Sequence, residues 1–401
     1  MPGDLKSNTI HENARSIKVL LSDLVLISWI VFVLGKTRTK MKTHEWTFLK
    51  HRAVVFWIGL LGLVSLGSLS NLRIPVRAGQ APSIDLGAHY APTPPATRPR
   101  TVTSGTVGMP SLGSGASLHG KRLFPPDNPW NQDISNSPVD PNSANLIRSI
   151  GVDDRLHPDF GTVWNGAPNG IPYVVVTGTQ PLLPVSFRSY GGESDPGPYP
   201  IPRDAPIEGG TNGKGDRHVL VIDRDRWKLY ELFSASPVNN GASWLVGSGA
   251  VFDLNSNTLR PEGWTSADAA GLPIFPGLVR YDEVFEQREI KHALRFTVGR
   301  SRRAYVYPAR HFASGDPDPN LPPMGMRVRL KASFDISGYS AANQVILRAL
   351  KKYGMFVADN GPGWFLSGAP DPRWSDDDLG LLKNIKGFNF EVVRMGPVVT
   401  R

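Results

Sequence analysis

From Leu123 to the end of the chain, apolar positions come in short runs separated by Gly, Pro, Asp and Asn. Ile171–Thr177, Val219–Asp223, Trp227–Phe233, Trp244–Leu254, Ile290–Val298, Ala304–Tyr307 and Met326–Phe334 are rich in β-branched and aromatic residues, so each predicts a strand. Many short strands with Pro- and Gly-rich connections predict a mainly β domain over 123–401, a jelly-roll-like β-sandwich. Two helices interrupt the pattern. Ser340 can cap one whose Ala342, Val345, Ile346, Ala349, Leu350 and Tyr353 share a face, with Gly354 closing it. Ser375 and Asp378 make a capping box for a second, ending near Lys386–Gly387.

Upstream the pattern is different. Ala53–Leu69 carries no charge and is nearly long enough to span a bilayer as a helix, and Ile17–Gly35 is a second apolar run broken by Ser22, Asp23 and Ser28. Six Lys and Arg face only Glu45 between them, which places residues 36–52 in the cytoplasm and everything beyond Leu69 outside the membrane. Read from Met41, the same residues make a single signal or anchor sequence, with small residues at Gly79 and Ala81 as a cleavage option. The expected organisation is a basic segment over 1–52, an anchor over 53–72, and a Pro/Ser/Thr/Gly tether over 73–122. The tether has too little apolar surface to offset its ordering entropy, so disorder is expected there.

The 401-residue chain has no cysteine, which excludes disulfide staples, thiolate metal sites and a cysteine nucleophile. Its net charge of +9 suggests nucleic acid until it is located. Residues 1–122 hold 15 basic and 5 acidic residues, against 29 and 30 in the remainder, so the β-rich part is almost neutral and no nucleic-acid partner is expected. No P-loop, G-x-S-x-G elbow or dinucleotide fingerprint is present, and no cofactor is called for.

Candidate chemistry centres on the stretch His218–Phe233. If Arg224-Asp225 forms a two-residue turn, Asp223 pairs with Arg226 and His218 with Glu231, at the far end of an otherwise apolar face. A carboxylate beside an imidazole fixes its tautomer and raises its basicity, as a general acid or base requires; a buried structural pair looks the same. His292 falls on the apolar face of its strand, with Arg295 on the opposite face, and His311 follows a strand into a loop. No His spacing supports a metal. Trp164, Trp264 and Trp364 sit in Gly-, Pro- and Asn-rich contexts, where exposed rings could stack on sugars beside Asp268 and Asp359, or else pack down on the domain. Arg327, Arg329 and Lys331 form one basic strand face, expected to be solvated.

The stretches DRHVLVID, EGWTSADAAGLPIFPGLVRYDEV, HALRFTV, RAYVYPARHFAS, MGMRVRLKASFDIS and YGMFVADNG resemble a group of exported or membrane-anchored bacterial proteins of uncharacterised function, across Phe124–Val393. That resemblance implies export and carries no catalytic residue. The residues themselves lead to a monomeric extracytoplasmic domain on a membrane anchor that acts on envelope or environmental polysaccharide as a hydrolase or lyase. In that reading His218, Glu231, His292, His311 and Arg295 do the chemistry, and Trp264, Asp268, Trp364, Asp359 and Trp164 hold substrate. A non-catalytic glycan-binding or adhesion module and a structural envelope protein are the alternatives.

Overall fold

The computed structural model describes residues 108–400. The anchor, the second apolar run and the tether up to residue 107 lie outside the described residues, among which no helix is long and apolar enough to cross a membrane.

Most regular structure is strand, with a few short helices. One sheet has five strands in the spatial order Gly113–Ser114, Tyr173–Val176, Val219–Asp223, Lys228–Phe233 and Ser248–Asp253. A second has six, in the order Phe390–Val392, Arg327–Leu330, Met355–Asn360, Leu294–Val298, Phe365–Ser367 and His157–Asp159. A small third sheet joins Val185–Phe187, Ser243–Val246 and Ser236–Val238.

Each of these sheets mixes parallel and antiparallel pairs, which departs from the antiparallel pairing of a jelly roll. Tyr173–Val176 runs parallel to Val219–Asp223, and Leu294–Val298 parallel to Met355–Asn360.

Val219–Ile222 is buried at every position because its sheet is covered on both sides. Leu220, Ile222 and Leu229 enter a core shared with Leu294, Phe296, Val328, Met355 and Leu366 of the six-stranded sheet. Val219, Val221 and Leu232 pack instead with Tyr199, Ile201, Trp244 and Val246.

The expected helices form. Ser340 Oγ accepts the Asn343 amide (3.1 Å) and caps Ala341–Lys352, whose Val345, Ile346, Ala349 and Leu350 join the larger core. It closes at Gly354, at φ +64°, where any Cβ would lie 2.1 Å from the Val328 carbonyl oxygen. Ser375 caps Asp376–Gly380, which continues as a 3-10 turn over Leu381–Asn384.

Three expectations are corrected. The fold does not wait for Leu123: Gly113–Ser114 pairs with Val174–Val175, and Leu118, 1% exposed, sits in the larger core. The hairpin register is Asp223↔Lys228 and Leu220↔Glu231, because the turn spans four residues rather than two. Asp223 Oδ1 accepts the amides of Asp225 and Arg226 (both 3.0 Å), and Trp227 takes a left-handed backbone, φ 51°, to re-enter the strand. The shift slides His218 past Glu231 to a place beside Phe233, ring centroids 5.9 Å apart, while leaving both on the same face.

Finally, the Arg327/Arg329 face is buried, each residue 8% exposed. Arg327 donates to the carbonyls of Tyr353, Pro129 and Gln132 and has no carboxylate in hydrogen-bond contact, so burial pushes it down to about 9. Arg329 is held by Glu391 at 2.8 Å.

Candidate functional site: a buried carboxylate cluster

Four segments distant in sequence bring charged groups together. Arg295 comes from Leu294–Val298, whose Leu294, Phe296 and Val298 anchor the strand in the core. Its guanidinium clasps Asp268 with two bonds, Nε to Oδ2 at 3.0 Å and Nη2 to Oδ1 at 2.8 Å, and gives Nη1 to Ser367 Oγ at 2.6 Å. The planar fork of arginine suits this two-point grip on a carboxylate.

Asp268 lies in a tight loop. Ser266 Oγ accepts the Asp268 amide (2.9 Å) and lies 2.6 Å from the Leu272 carbonyl.

Asp359 lies near the end of Met355–Asn360, opposite Thr297, where the pairing slips between Phe296 and Thr297. Such a bulge re-aims the side chain that follows it. The Asp359 and Asp268 segments are joined by the Ala270 amide, which donates to the Ala358 carbonyl (2.9 Å), and the two carboxyls are near enough for their charges to act on one another. Burial and the neighbouring Asp268 charge push Asp359 up to about 7, against the pull of Arg295, the Asn360 amide and His218. Burial raises Asp268 as well, against the pull of the guanidinium that clasps it.

Glu231 is fully buried and receives the Ile274 amide at both oxygens (2.9 Å) and the Phe275 amide at Oε1 (2.8 Å). Burial pushes it up to about 8, the two amides opposing and the nearby Asp268 adding to the rise. His218, 3% exposed, has Nε2 3.9 Å from Glu208 Oε2 and Nδ1 3.4 Å from the Leu232 carbonyl oxygen. Its close carboxylate is therefore Glu208, ten residues upstream, where no spacing signal would have pointed.

His311, half-buried, has Nδ1 2.7 Å from the Ala269 carbonyl, beside Asp268. A carbonyl only accepts, so Nδ1 carries the hydrogen and Nε2 is left as an acceptor.

His218, Glu231, Asp268, Arg295 and Asp359 thus belong to one neighbourhood, with His311 hydrogen-bonded to the loop that carries Asp268. His292 does not. It is buried in a different cluster, Nε2 3.1 Å from both Glu283 oxygens, and Glu283 also meets Arg280 at 2.6 Å. Burial acts to raise Glu283, and Arg280 with His292 more than offset that, holding the carboxyl below its usual range.

The tryptophans separate as well. Trp364 is wholly buried, stacked between Phe296 (5.5 Å) and Phe390 (4.9 Å), with Nε1 donating to the Gly151 carbonyl, so it is a core residue. Trp264 is half-buried, 5.6 Å from the Arg260 guanidinium. Trp164 is 68% exposed on the hairpin Val163–Trp164/Ala167–Pro168.

Ser367, which completes the arginine clasp, and Asp159, raised by burial against the pull of Arg295, were not among the expected residues. Among the described residues no three His, Asp or Glu side chains are grouped as metal ligands. Compared with family models, with curated proteins and with solved structures, the chain matches none.

Proposed function

We propose that this chain is a membrane-tethered, extracytoplasmic enzyme that cleaves polysaccharide by general acid–base chemistry, with Asp359 as the acid, on a domain whose two large sheets stack as a sandwich. The observation that carries the reading is the arginine clasp on Asp268 with the Asp359 carboxyl close to it. A carboxyl that keeps its proton near neutral pH beside one that keeps its charge is the arrangement from which a glycosidic oxygen can be protonated.

Asp359 is half-buried and next to the exposed Asn360, so it is the member of the cluster open to a substrate. Glu231 and Arg295 are enclosed and act as positioning residues. His218 and His311 flank the pair as candidates to move the second proton. The uncharged Ala53–Leu69 run supports the anchor, and the basic loop before it supports an outward-facing domain.

The test uses the full chain with a panel of envelope and plant polysaccharides, scoring new reducing ends for hydrolysis and unsaturated sugar for elimination. Asp359→Asn is expected to lower turnover about 10²- to 10⁴-fold with affinity nearly unchanged. Turnover equal to wild type in that variant would remove Asp359 from the chemistry, and absence of turnover on every substrate would remove the enzyme reading.

The exposed ring of Trp164 favours the second reading, a glycan-binding module. In that case Trp164→Ala weakens binding and no product appears.

A further inference from the structure

We propose that Ser111 is a nucleophile, activated by His119, that accepts the acyl group of a small ester carried on a larger molecule. The pair stands on its own hydrogen-bonded chain and shares no residue with the carboxylate cluster. Ser111 Oγ lies 2.8 Å from His119 Nε2, His119 Nδ1 lies 3.4 Å from Ser117 Oγ, and Ser117 Oγ donates to Glu286 Oε2 at 2.7 Å.

The direction of these bonds is set from the acidic end. Glu286 can only accept, so the Ser117 hydroxyl hydrogen goes to it and Ser117 Oγ is left to accept from Nδ1–H. Nε2 then has a free lone pair facing the Ser111 hydroxyl. That is the tautomer a histidine base needs, with a serine relaying the acid that usually orients it.

The backbone holds the parts in place. The Ser111 amide donates to the Ser117 carbonyl (2.9 Å) and the Gly108 amide to the His119 carbonyl (3.3 Å), folding the segment back on itself. His119 adopts φ 47°, a left-handed conformation costly for a residue other than glycine and frequent where geometry serves function. Its neighbours Leu118 and Gly120 line a cavity with Lys121, Arg122 and Gln287.

In the reaction the Ser111 O–H bond breaks, its proton passes to His119 Nε2, and the Oγ–C bond forms at the ester carbonyl. The ester C–O bond then breaks, and the departing alkoxide takes the proton from Nε2. Water repeats the sequence to release the acid. Ser111 is exposed, so the acyl group can be presented by a bulky carrier.

The full chain is treated with a fluorophosphonate, which forms an Oγ–P bond with loss of fluoride, and with 4-nitrophenyl acetate. Labelling is expected to map to Ser111, to vanish in Ser111→Ala, and to slow about 100-fold or more in His119→Gln. Ester turnover should follow the same pattern, and Ser117→Ala should slow it without abolishing it. Labelling elsewhere in the chain, no labelling, or a Ser111 rate unchanged in His119→Gln overturns the proposal, whatever the polysaccharide assays give.

Discussion

Arg295 grips Asp268 by both carboxylate oxygens, and the Asp268 charge helps to push Asp359 up. The two contacts, 2.8 and 3.0 Å long, use both oxygens of Asp268. Breaking one side of a buried ion pair typically costs about 3–5 kcal/mol, because the other charge is stranded. Arg295→Met is therefore expected to lower the free energy of unfolding by roughly that amount, and Asp268→Asn in the same chain to recover part of it. A denaturant double-mutant cycle reads the coupling, and strict additivity would argue that the pair is not the unit described.

The pH dependence of stability has a definite sign. Asp359 is pushed up to about 7 and Glu231 up to about 8, so the folded chain binds these protons more tightly than the unfolded chain does. Their contribution is complete below the ordinary carboxylate range and is lost as pH rises through 7 and then 8. Thermal unfolding from the ordinary carboxylate range upward should show a falling Tm in wild type, with a shallower fall up to about 7 in Asp359→Asn and a shallower fall up to about 8 in Glu231→Gln. A Tm that climbs over the same interval would contradict both shifts.

Trp364 and Trp164 are alike in sequence surroundings and opposite in burial. Trp364→Ala should cost about 3–5 kcal/mol, as large-to-small changes in a packed core do. Trp164→Ala should stay within about 0.5 kcal/mol, since its ring is largely in water. Equal losses in chemical denaturation would show that one of the two environments is misassigned.

Removal of residues 108–122 should destabilise the domain, although the composition there looks like linker. Leu118 alone is worth about 2–5 kcal/mol by the usual cost of Leu→Ala in a core, and the truncation also bares the edge of Tyr173–Val176. Comparing unfolding of chains that begin at 108 and at 123 checks this, and identical midpoints would show that these residues add nothing to the stability of the fold.

Strands at Val219–Asp223 and Lys228–Phe233 and the helix after Ser340 were legible because local rules decide them: apolar runs between turn formers, and a serine cap before a helical stripe. The short helix Ser143–Ile150 and the strands Met355–Asn360 and Phe365–Ser367 were not identified. The site was legible residue by residue and not as an arrangement. Asp268 and Asp359 looked like turn residues, and nothing near either announces that Arg295 lies between the segments. Alternation misread Arg327 and Arg329, because the carbonyls that receive them come from Pro129 to Ser137, nearly two hundred positions away. The hairpin register failed for a local reason: Asp223 accepts two amides of the turn and lengthens it, a choice that strand pattern alone does not reveal.

The two-residue strand Gly113–Ser114 also fixes how the domain bears load. A pull on the chain from upstream of Gly108 meets first the single bond between the Gly108 amide and the His119 carbonyl, then the edge pairing with Val174 and Val175. Edge strands this short peel one bond at a time, whereas Leu118 behind them is locked in the core. Tension would therefore separate Ser111 from His119 well before it reached the clasp on Asp268, making the serine–histidine contact a mechanical fuse and leaving the carboxylate cluster insulated from the pull.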